Sequence, residues 1–201
     1  MKVLRDIHAL SFCLISPVSV TPTEPYIHRL PVELLQQIFL FIVNSAPDYP
    51  SIFSRRFFTI SANVASSPLV LTRVCHRWRV VAHSTEGVWS RIQVVLPGEV
   101  RSFGPFLPHL LQCWLARSGS LPLTLHIVNR SPIPDWIITA ANSRILDILL
   151  SESRRWETVV MPPTCDWDVN FDTPQLRALE CGPADLKKFY APNISRLYIN
   201  T

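Results

Sequence analysis

The chain has little glycine, and its cysteines lack the close spacing of metal-binding or disulfide-bonded pairs. Its 201 residues include five glycines and five cysteines, beside eighteen prolines. So few glycines argue against phosphate-cradling loops, and the sequence contains no nucleophile elbow or dinucleotide fingerprint. No two cysteines are separated by two residues, which argues against a disulfide framework and against a zinc finger. We therefore predict a non-catalytic protein of a reducing compartment, cytoplasmic or nuclear, with no metal and no cofactor.

Long apolar runs and strong charge are also lacking. No apolar run approaches the ~20 residues that cross a bilayer, and the net charge is only +4. We therefore expect neither a membrane nor a nucleic acid as a partner. One basic cluster leaves a DNA-binding helix-turn-helix as an alternative: Arg73, Arg77, Arg79 and Arg91. With 48% hydrophobic residues, the chain can bury a core and is predicted to be globular.

Two patterns imitate metal sites but lack the necessary ligands. The segment Asp166–Asp172 begins like a calcium loop, which needs glycine at its sixth position and glutamate at its twelfth. This chain has phenylalanine and arginine there. Cys75, His76 and His83 cannot complete the four ligands of a closed metal site. A solvated loop, a core thiol and two surface histidines are the expected outcomes.

The N-terminus offers a competing interpretation, which is secretion. Lys2 and Arg5 precede an apolar stretch, Ile7–Ile15, that loosely resembles a signal peptide. Asn129 and Asn193 begin glycosylation sequons, which matter only in the secretory pathway. A secreted glycoprotein with a small-molecule pocket therefore stays open as an alternative.

Composition divides the chain into three regions. Residues 1–26 form a flexible segment that ends in a proline- and threonine-rich linker, residues 27–91 a helical module, and residues 92–201 an α/β region. Residues 44–67 lack a clean pattern and are interpreted as an insertion with one helical turn. This insertion separates two halves of the helical module.

Three helices are predicted in the helical module. Apolar residues at helical spacing predict the first over residues 31–43. A second helix is predicted over residues 68–82. Ser84 is placed to cap a short third helix that ends at Trp89.

Beyond Trp89 the pattern changes to strands that alternate with helices. One apolar spacing recurs around five anchors at intervals of 33, 34, 20 and 18 residues: Ile92, Leu125, Val159, Leu179 and Leu197. Such recurrence predicts parallel strands in a right-handed solenoid of leucine-rich-repeat type, joined by helices and then by shorter loops. Helices are predicted from Phe106 to about Ser118 and from Pro134 onward. Since no polar capping unit follows the last strand, we expect the solenoid to be truncated.

The helical module resembles the F-box of fungal and other eukaryotic proteins. The resemblance rests on three segments in order: Leu30-Pro31-x-Glu33-Leu34-Leu35-x-x-Ile38-Phe39, Val74-Cys75-x-x-Trp78-Arg79-x-x-Ala82, and Val88-Trp89. The later stretch Trp114–Leu123 is similar to a segment that follows the F-box in many fungal members, where irregular leucine-rich repeats are also usual. The insertion and Val88, where leucine is commoner, depart from the pattern.

The resemblance implies a substrate receptor of a Skp–cullin–F-box ubiquitin ligase. Such a protein binds a Skp-type adaptor, and through it a cullin, while its repeats hold a protein substrate that no residue here identifies. The implied adaptor contacts, with their supporting residues, are Leu30, Pro31, Leu34, Leu35, Ile38, Phe39, Val74, Cys75, Trp78 and Trp89. Two alternatives stay open: these residues form only a helical core, or the insertion has made the protein a degenerate, non-ligase interaction protein.

Overall fold

A computed structural model describes residues 26–46, 49–56, 59–96, 106–129, 140–162 and 169–200. The chain divides into two compact units, Met1–Leu30 and Pro31–Thr201. In the first unit, Tyr26–Arg29 form a 3₁₀ turn in which the Arg29 guanidinium lies 5.2 Å from the centroid of the Tyr26 ring. The predicted boundary at residue 91 lies inside the second unit, which contains all the elements named below.

The second unit is a mixture of helices and a parallel sheet, as predicted in outline. Its α-helices are α1 (Val32–Ser45), α2 (His76–Ser84), α3 (Phe106–Arg117) and α4 (Ala140–Leu150). Its strands are β1 (Phe53–Arg56), β2 (Thr59–Ala62), β3 (Arg91–Leu96), β4 (Leu123–Asn129), β5 (Trp156–Val160), β6 (Phe171–Asp172), β7 (Ala178–Cys181), β8 (Phe189–Tyr190) and β9 (Arg196–Ile199).

The main sheet has five parallel strands, and their spatial order β3-β4-β5-β7-β9 follows the order of the chain. The five predicted anchors are register partners across all four strand pairs: Ile92 with Leu125, Leu125 with Val159, Val159 with Leu179, and Leu179 with Leu197. The parallel strands predicted from this spacing are therefore confirmed. The first four anchors are buried, because side chains alternate between the faces of a strand and these four point to the core side, whereas Leu197 on the edge strand β9 is exposed.

Helices occupy the two long connections of this sheet. A parallel pair of strands needs a crossover, and α3 joins β3 to β4 while α4 joins β4 to β5. Helix α3 confirms the prediction from Phe106 and buries Leu111 and Trp114. Helix α4 packs against α3 and buries Ile145 and Leu149. The predicted start of that helix at Pro134 lies outside the described residues.

The later connections are shorter and carry a second, two-stranded parallel ladder. Strands β6 and β8 pair there, and the rings of Phe171 and Phe189 stack with centroids 4.4 Å apart. The Trp156 ring lies 5.8 Å from Phe171, so aromatic side chains fill the core where no helix is present in the described residues.

The insertion at 44–67 contains a β-hairpin rather than the predicted helical turn. Strands β1 and β2 pair antiparallel within it. Ahead of the hairpin, the Ile52 N–H donates to the Gln93 carbonyl at 3.2 Å, and the Gln93 N–H donates to the Pro50 carbonyl at 2.7 Å. The insertion therefore pairs with the outer edge of β3, whose N–H and C=O groups would otherwise be unpaired.

The second and third predicted helices are both wrong in extent. Residues Leu71–Arg73 form a 3₁₀ turn, and α2 begins only at His76 because Cys75 has an extended backbone, with φ −156° and ψ 172°. The third segment is a 3₁₀ turn, Glu86–Val88. Ser84 does not cap it, since its hydroxyl donates back to the Val81 carbonyl at 3.1 Å.

Candidate functional site

Helix α1 begins at a proline that suits its position. Pro31 precedes the first helical residue with φ −53° and ψ 150°, and its carbonyl accepts the Leu35 N–H at 3.2 Å. Proline loses nothing there, because the first turn of a helix has no internal partner for its N–H groups. Pro31 is exposed, and Glu33 adds a favourable negative charge to the first turn. Leu30, half-buried, belongs to the first compact unit.

One apolar stripe of α1 forms the core. Leu35, Phe39 and Val43, spaced at four residues, are fully buried. The Phe39 ring lies 4.9 Å from the ring of Trp78, which is half-buried on α2. The resemblance implied that Leu35 and Phe39 contact the adaptor, but both side chains are fully buried and support α1 from the core side.

A second apolar stripe of α1, the exposed stripe, faces outward. It consists of Leu34, Ile38, Phe41 and Ile42, whose exposed fractions are 50%, 38%, 71% and 37%. These positions recur at i, i+4, i+7 and i+8, so their side chains lie along one side of the helix. Phe41 was absent from the predicted contact set, although its spacing from Leu34 identifies it. The stripe is not part of the core, which excludes the simple core interpretation for Leu34 and Ile38.

The segment before α2 adds one more exposed apolar side chain. Val74 is exposed, whereas Cys75 is half-buried and acts as the N-cap of α2. Its Sγ accepts the Trp78 N–H at 3.4 Å, which satisfies one of the free donors of the first turn. Of the predicted set, Val74 is therefore available to a partner, while Cys75 and Trp78 hold α2 in place.

Trp89 is an internal joint between the helical segment and the α/β region. Its side chain is fully buried, and its Nε1 donates to the Ala82 carbonyl, near the end of α2, at 2.7 Å. The Nε1 of Trp114 donates to the Trp89 carbonyl at 2.9 Å, and the two rings meet edge to face at 5.1 Å. The Arg117 guanidinium covers the Trp89 ring at 4.9 Å. The predicted role of Trp89 at the contact is thus limited to support.

A second arginine, Arg155, holds the segment that follows α3. Arg155 donates from Nη2 to the Ser118 hydroxyl at 2.7 Å and to the Leu121 carbonyl at 2.9 Å, and from Nη1 to the Glu152 carboxylate at 2.7 Å. Gly119 ends the turn with φ 56°, the left-handed conformation that glycine adopts at a helix C-terminus. The Ser118-Gly119 sequence is therefore used to turn the chain from α3 into β4.

Arg79 and Arg91 of the basic cluster donate hydrogen bonds to backbone carbonyls of the protein itself. The Arg79 Nε donates to the Thr72 carbonyl at 2.9 Å. Arg91 donates to the carbonyls of Val43 and Asn44 at 3.2 and 3.1 Å, where α1 ends. These contacts orient the guanidinium groups toward helix and turn carbonyls, which weakens the DNA-binding alternative.

The imidazole of His83 lies near the same joint. Its pKa is lowered by burial first, and then by the positive charges of Arg117 and Arg79. The ring is 5.9 Å from that of Trp89. His83 is therefore held in its neutral form more strongly than a free histidine is.

The main sheet exposes a second candidate surface, the outer sheet face, opposite the anchors. One row of register partners across it is Gln93, His126, Val160, Glu180 and Tyr198. Burial lowers the pKa of His126, and the Glu180 carboxylate partly opposes this shift. A hollow of about 150 Å³ lies in this face, and its lining includes Tyr49, Thr158, Ala178, Glu180, Arg196 and Tyr198.

A larger cavity of about 590 Å³ opens where the strands begin. Its lining includes Pro122, Glu157, Gln175, Arg177 and Asn193. Arg177 and Glu157 pair with each other at 3.7 Å. The Asn193 Nδ2, the atom that glycosylation would modify, donates to the Pro174 carbonyl at 2.7 Å. The polar groups of this cavity are largely engaged with one another.

Metal-binding clusters are absent from the residues that the structure describes. In the calcium-like segment, residues 166–168 lie outside the described part, and the Asp172 carboxylate accepts from Arg154 at 2.9 Å. Within the described ranges, no helix is both long enough and apolar enough to cross a membrane. No family model, no curated protein and no solved structure matches this chain.

Proposed function

We propose that this chain is an F-box-type substrate receptor of a Skp–cullin–F-box ubiquitin ligase. The observation that carries the proposal is the exposed stripe of α1, formed by Leu34, Ile38, Phe41 and Ile42. A helix that presents four large apolar side chains at this spacing is suited to lie in an apolar groove of a partner. The segments that resemble the F-box form this helix and the elements that support it.

The support beneath the stripe strengthens the argument. Phe39 packs on Trp78, and Gly87 lies so close to α1 that a Cβ added there would be 2.8 Å from Leu40 Cδ2. Helix α1 is thus fixed by its buried side while its other side remains apolar and exposed. A fixed, preorganised helix loses little conformational entropy on binding, which favours its use as an interface.

The proposed adaptor surface therefore differs from the set that the sequence indicated. Pro31, Leu34, Ile38 and Val74 remain in it, and Phe41 and Ile42 are added. Leu35, Phe39, Cys75, Trp78 and Trp89 support the surface from inside. Leu30 remains a prediction from the resemblance alone.

The repeat region would hold the substrate. Parallel strands in chain order, with register-matched anchors, support the proposal that this region is a right-handed leucine-rich-repeat-like solenoid. The receptor would then act by proximity: it raises the effective concentration of a substrate lysine beside a ubiquitin-charged enzyme of another subunit. No group of this chain takes part in bond making in such a mechanism.

The test is co-expression with a Skp-type adaptor followed by size-exclusion chromatography. The wild-type chain is expected to elute with the adaptor, and the Leu34→Asp/Phe41→Asp variant is expected to elute without it. Because both side chains are exposed, this variant should keep its circular dichroism spectrum and its unfolding midpoint.

A matched control comes from two apolar side chains elsewhere on the surface. Val169 and Tyr190 have exposed fractions of 44% and 68%, close to those of Leu34 and Phe41. The Val169→Asp/Tyr190→Asp variant is expected to elute with the adaptor as the wild type does. If the wild-type chain ignores the adaptor, the degenerate, non-ligase alternative replaces this proposal.

A further inference from the structure

The hollow of the outer sheet face has a floor of short side chains. Thr158 and Ala178 are register partners on β5 and β7, and Arg196 is the partner of Ala178 on β9. Tyr49 lies toward β4, where its ring meets His126 at 5.1 Å, while Tyr198 rises from β9 on the opposite side. The space of about 150 Å³ is open to solvent above these short residues, and roughly five water molecules fill such a volume.

Two charges of opposite sign line this hollow without neutralising each other. Within the described residues, Arg196 makes no ion pair, and the Glu180 carboxylate accepts a hydrogen bond from the Asn200 amide at 3.1 Å but pairs with no cationic side chain. From the register, Glu180 is one strand across from Arg196 and two residues further along. This offset is about 6.6 Å along the strands and about 4.8 Å across them.

The component of this offset along the strands matches the side-chain spacing of an extended chain. In an extended segment, residues i and i+2 point to the same side and lie about 6.6 Å apart. A segment laid along the strands between β7 and β9 would therefore place two side chains within reach of the long side chains of Arg196 and Glu180. Its intervening side chain would point away from the sheet.

We propose that the hollow binds an extended segment of the substrate that carries one acidic and one basic side chain two residues apart. The acidic side chain binds the Arg196 guanidinium and reaches the hydroxyls of Thr158 and Tyr198. The basic side chain binds the Glu180 carboxylate. This inference rests on the proposed function, because it names the substrate chemistry of the same receptor.

The test is selection of a phage-displayed random peptide library on the full chain. We expect peptides with one acid and one base two residues apart to be enriched about tenfold over the unselected library, since charge-assisted hydrogen bonds of this kind support such a ratio. Ala178→Leu, which fills the floor of the hollow, is expected to abolish the enrichment.

Charge-reversal variants make the outcome specific. Arg196→Glu is expected to select two basic residues at this spacing, and Glu180→Arg two acidic residues. Arg144→Glu, at an exposed arginine on α4, serves as the control and should select the wild-type pattern. If the three binding-face variants select the same peptides as the wild type, the inference is overturned.

Adaptor co-elution, measured on every variant, separates this inference from the proposed function. Charge-selected peptides from a chain that ignores the adaptor would support the peptide site and refute the ligase role. If the chain co-elutes with the adaptor but its peptides show no charge pattern, or are apolar and insensitive to Ala178→Leu, the ligase role is supported and the peptide site is refuted.

Discussion

Replacing Trp89 with phenylalanine tests whether this residue is an internal joint or an adaptor contact. The indole Nε1 donates to the Ala82 carbonyl at 2.7 Å, and phenylalanine leaves that buried acceptor without its donor. Loss of such a bond costs about 1–3 kcal/mol. The smaller ring also leaves a cavity of roughly 40 Å³, which at about 24 cal/mol per Å³ adds about 1 kcal/mol.

We therefore expect Trp89→Phe to lower the free energy of unfolding by about 2–4 kcal/mol. This is a large part of the ~5–15 kcal/mol typical of a domain, so alanine, which would also remove the contact with Arg117, is the less informative change. Urea denaturation followed by tryptophan fluorescence and by circular dichroism gives the unfolding free energy of both proteins. Titration with the adaptor below the unfolding transition gives the dissociation constants.

The joint predicts a loss of stability with little change in adaptor affinity. An unchanged unfolding free energy combined with a weaker adaptor complex would refute it, because Trp89 would then act at the partner surface. Phe41→Ala should show the opposite pattern, with weaker adaptor binding and a stability within about 0.5 kcal/mol of the wild type.

Two further predictions concern stability. Arg155→Lys is expected to destabilise the chain by about 1.5–3 kcal/mol, because a lysine cannot reproduce the forked contacts to Ser118, Leu121 and Glu152. The control, Arg154→Lys at an exposed ion pair, should cost less than about 1 kcal/mol in the same urea titration. The pKa values of His83 and His126 are lowered in the folded state. As the pH falls through about 6.5, the pKa of an unfolded histidine, the unfolded chain therefore binds more protons than the folded chain, and the free energy of unfolding should decrease. Unfolding curves at a series of pH values check this, and His126→Gln should flatten the slope; a slope that steepens would contradict the assignment.

The repeat spacing was sufficient to predict the register of the main sheet. Strands that stack in chain order must present the same apolar position to one core. The recurrence of this position at Ile92, Leu125, Val159 and Leu179 therefore indicates which residues pair between neighbouring strands. The hairpin at β1 and β2 was not predicted, and neither was the pairing of the segment ahead of it with the β3 edge, because both depend on backbone hydrogen bonds. Nearly every residue type can form such backbone bonds, so the amino-acid sequence gives little indication of where they occur.

The sequence by itself determined that α1 is a helix with a wide apolar surface, and that parallel strands follow it. Only the tertiary structure decided which stripe of α1 lies inside. Leu34 and Leu35 are neighbours of the same type, and both belong to sets at helical spacing, so periodicity cannot distinguish them. The stripe that contains Phe39 lies in the core because Phe39 packs against Trp78 of α2. The other stripe remains at the surface because the described structure offers no second layer to cover it.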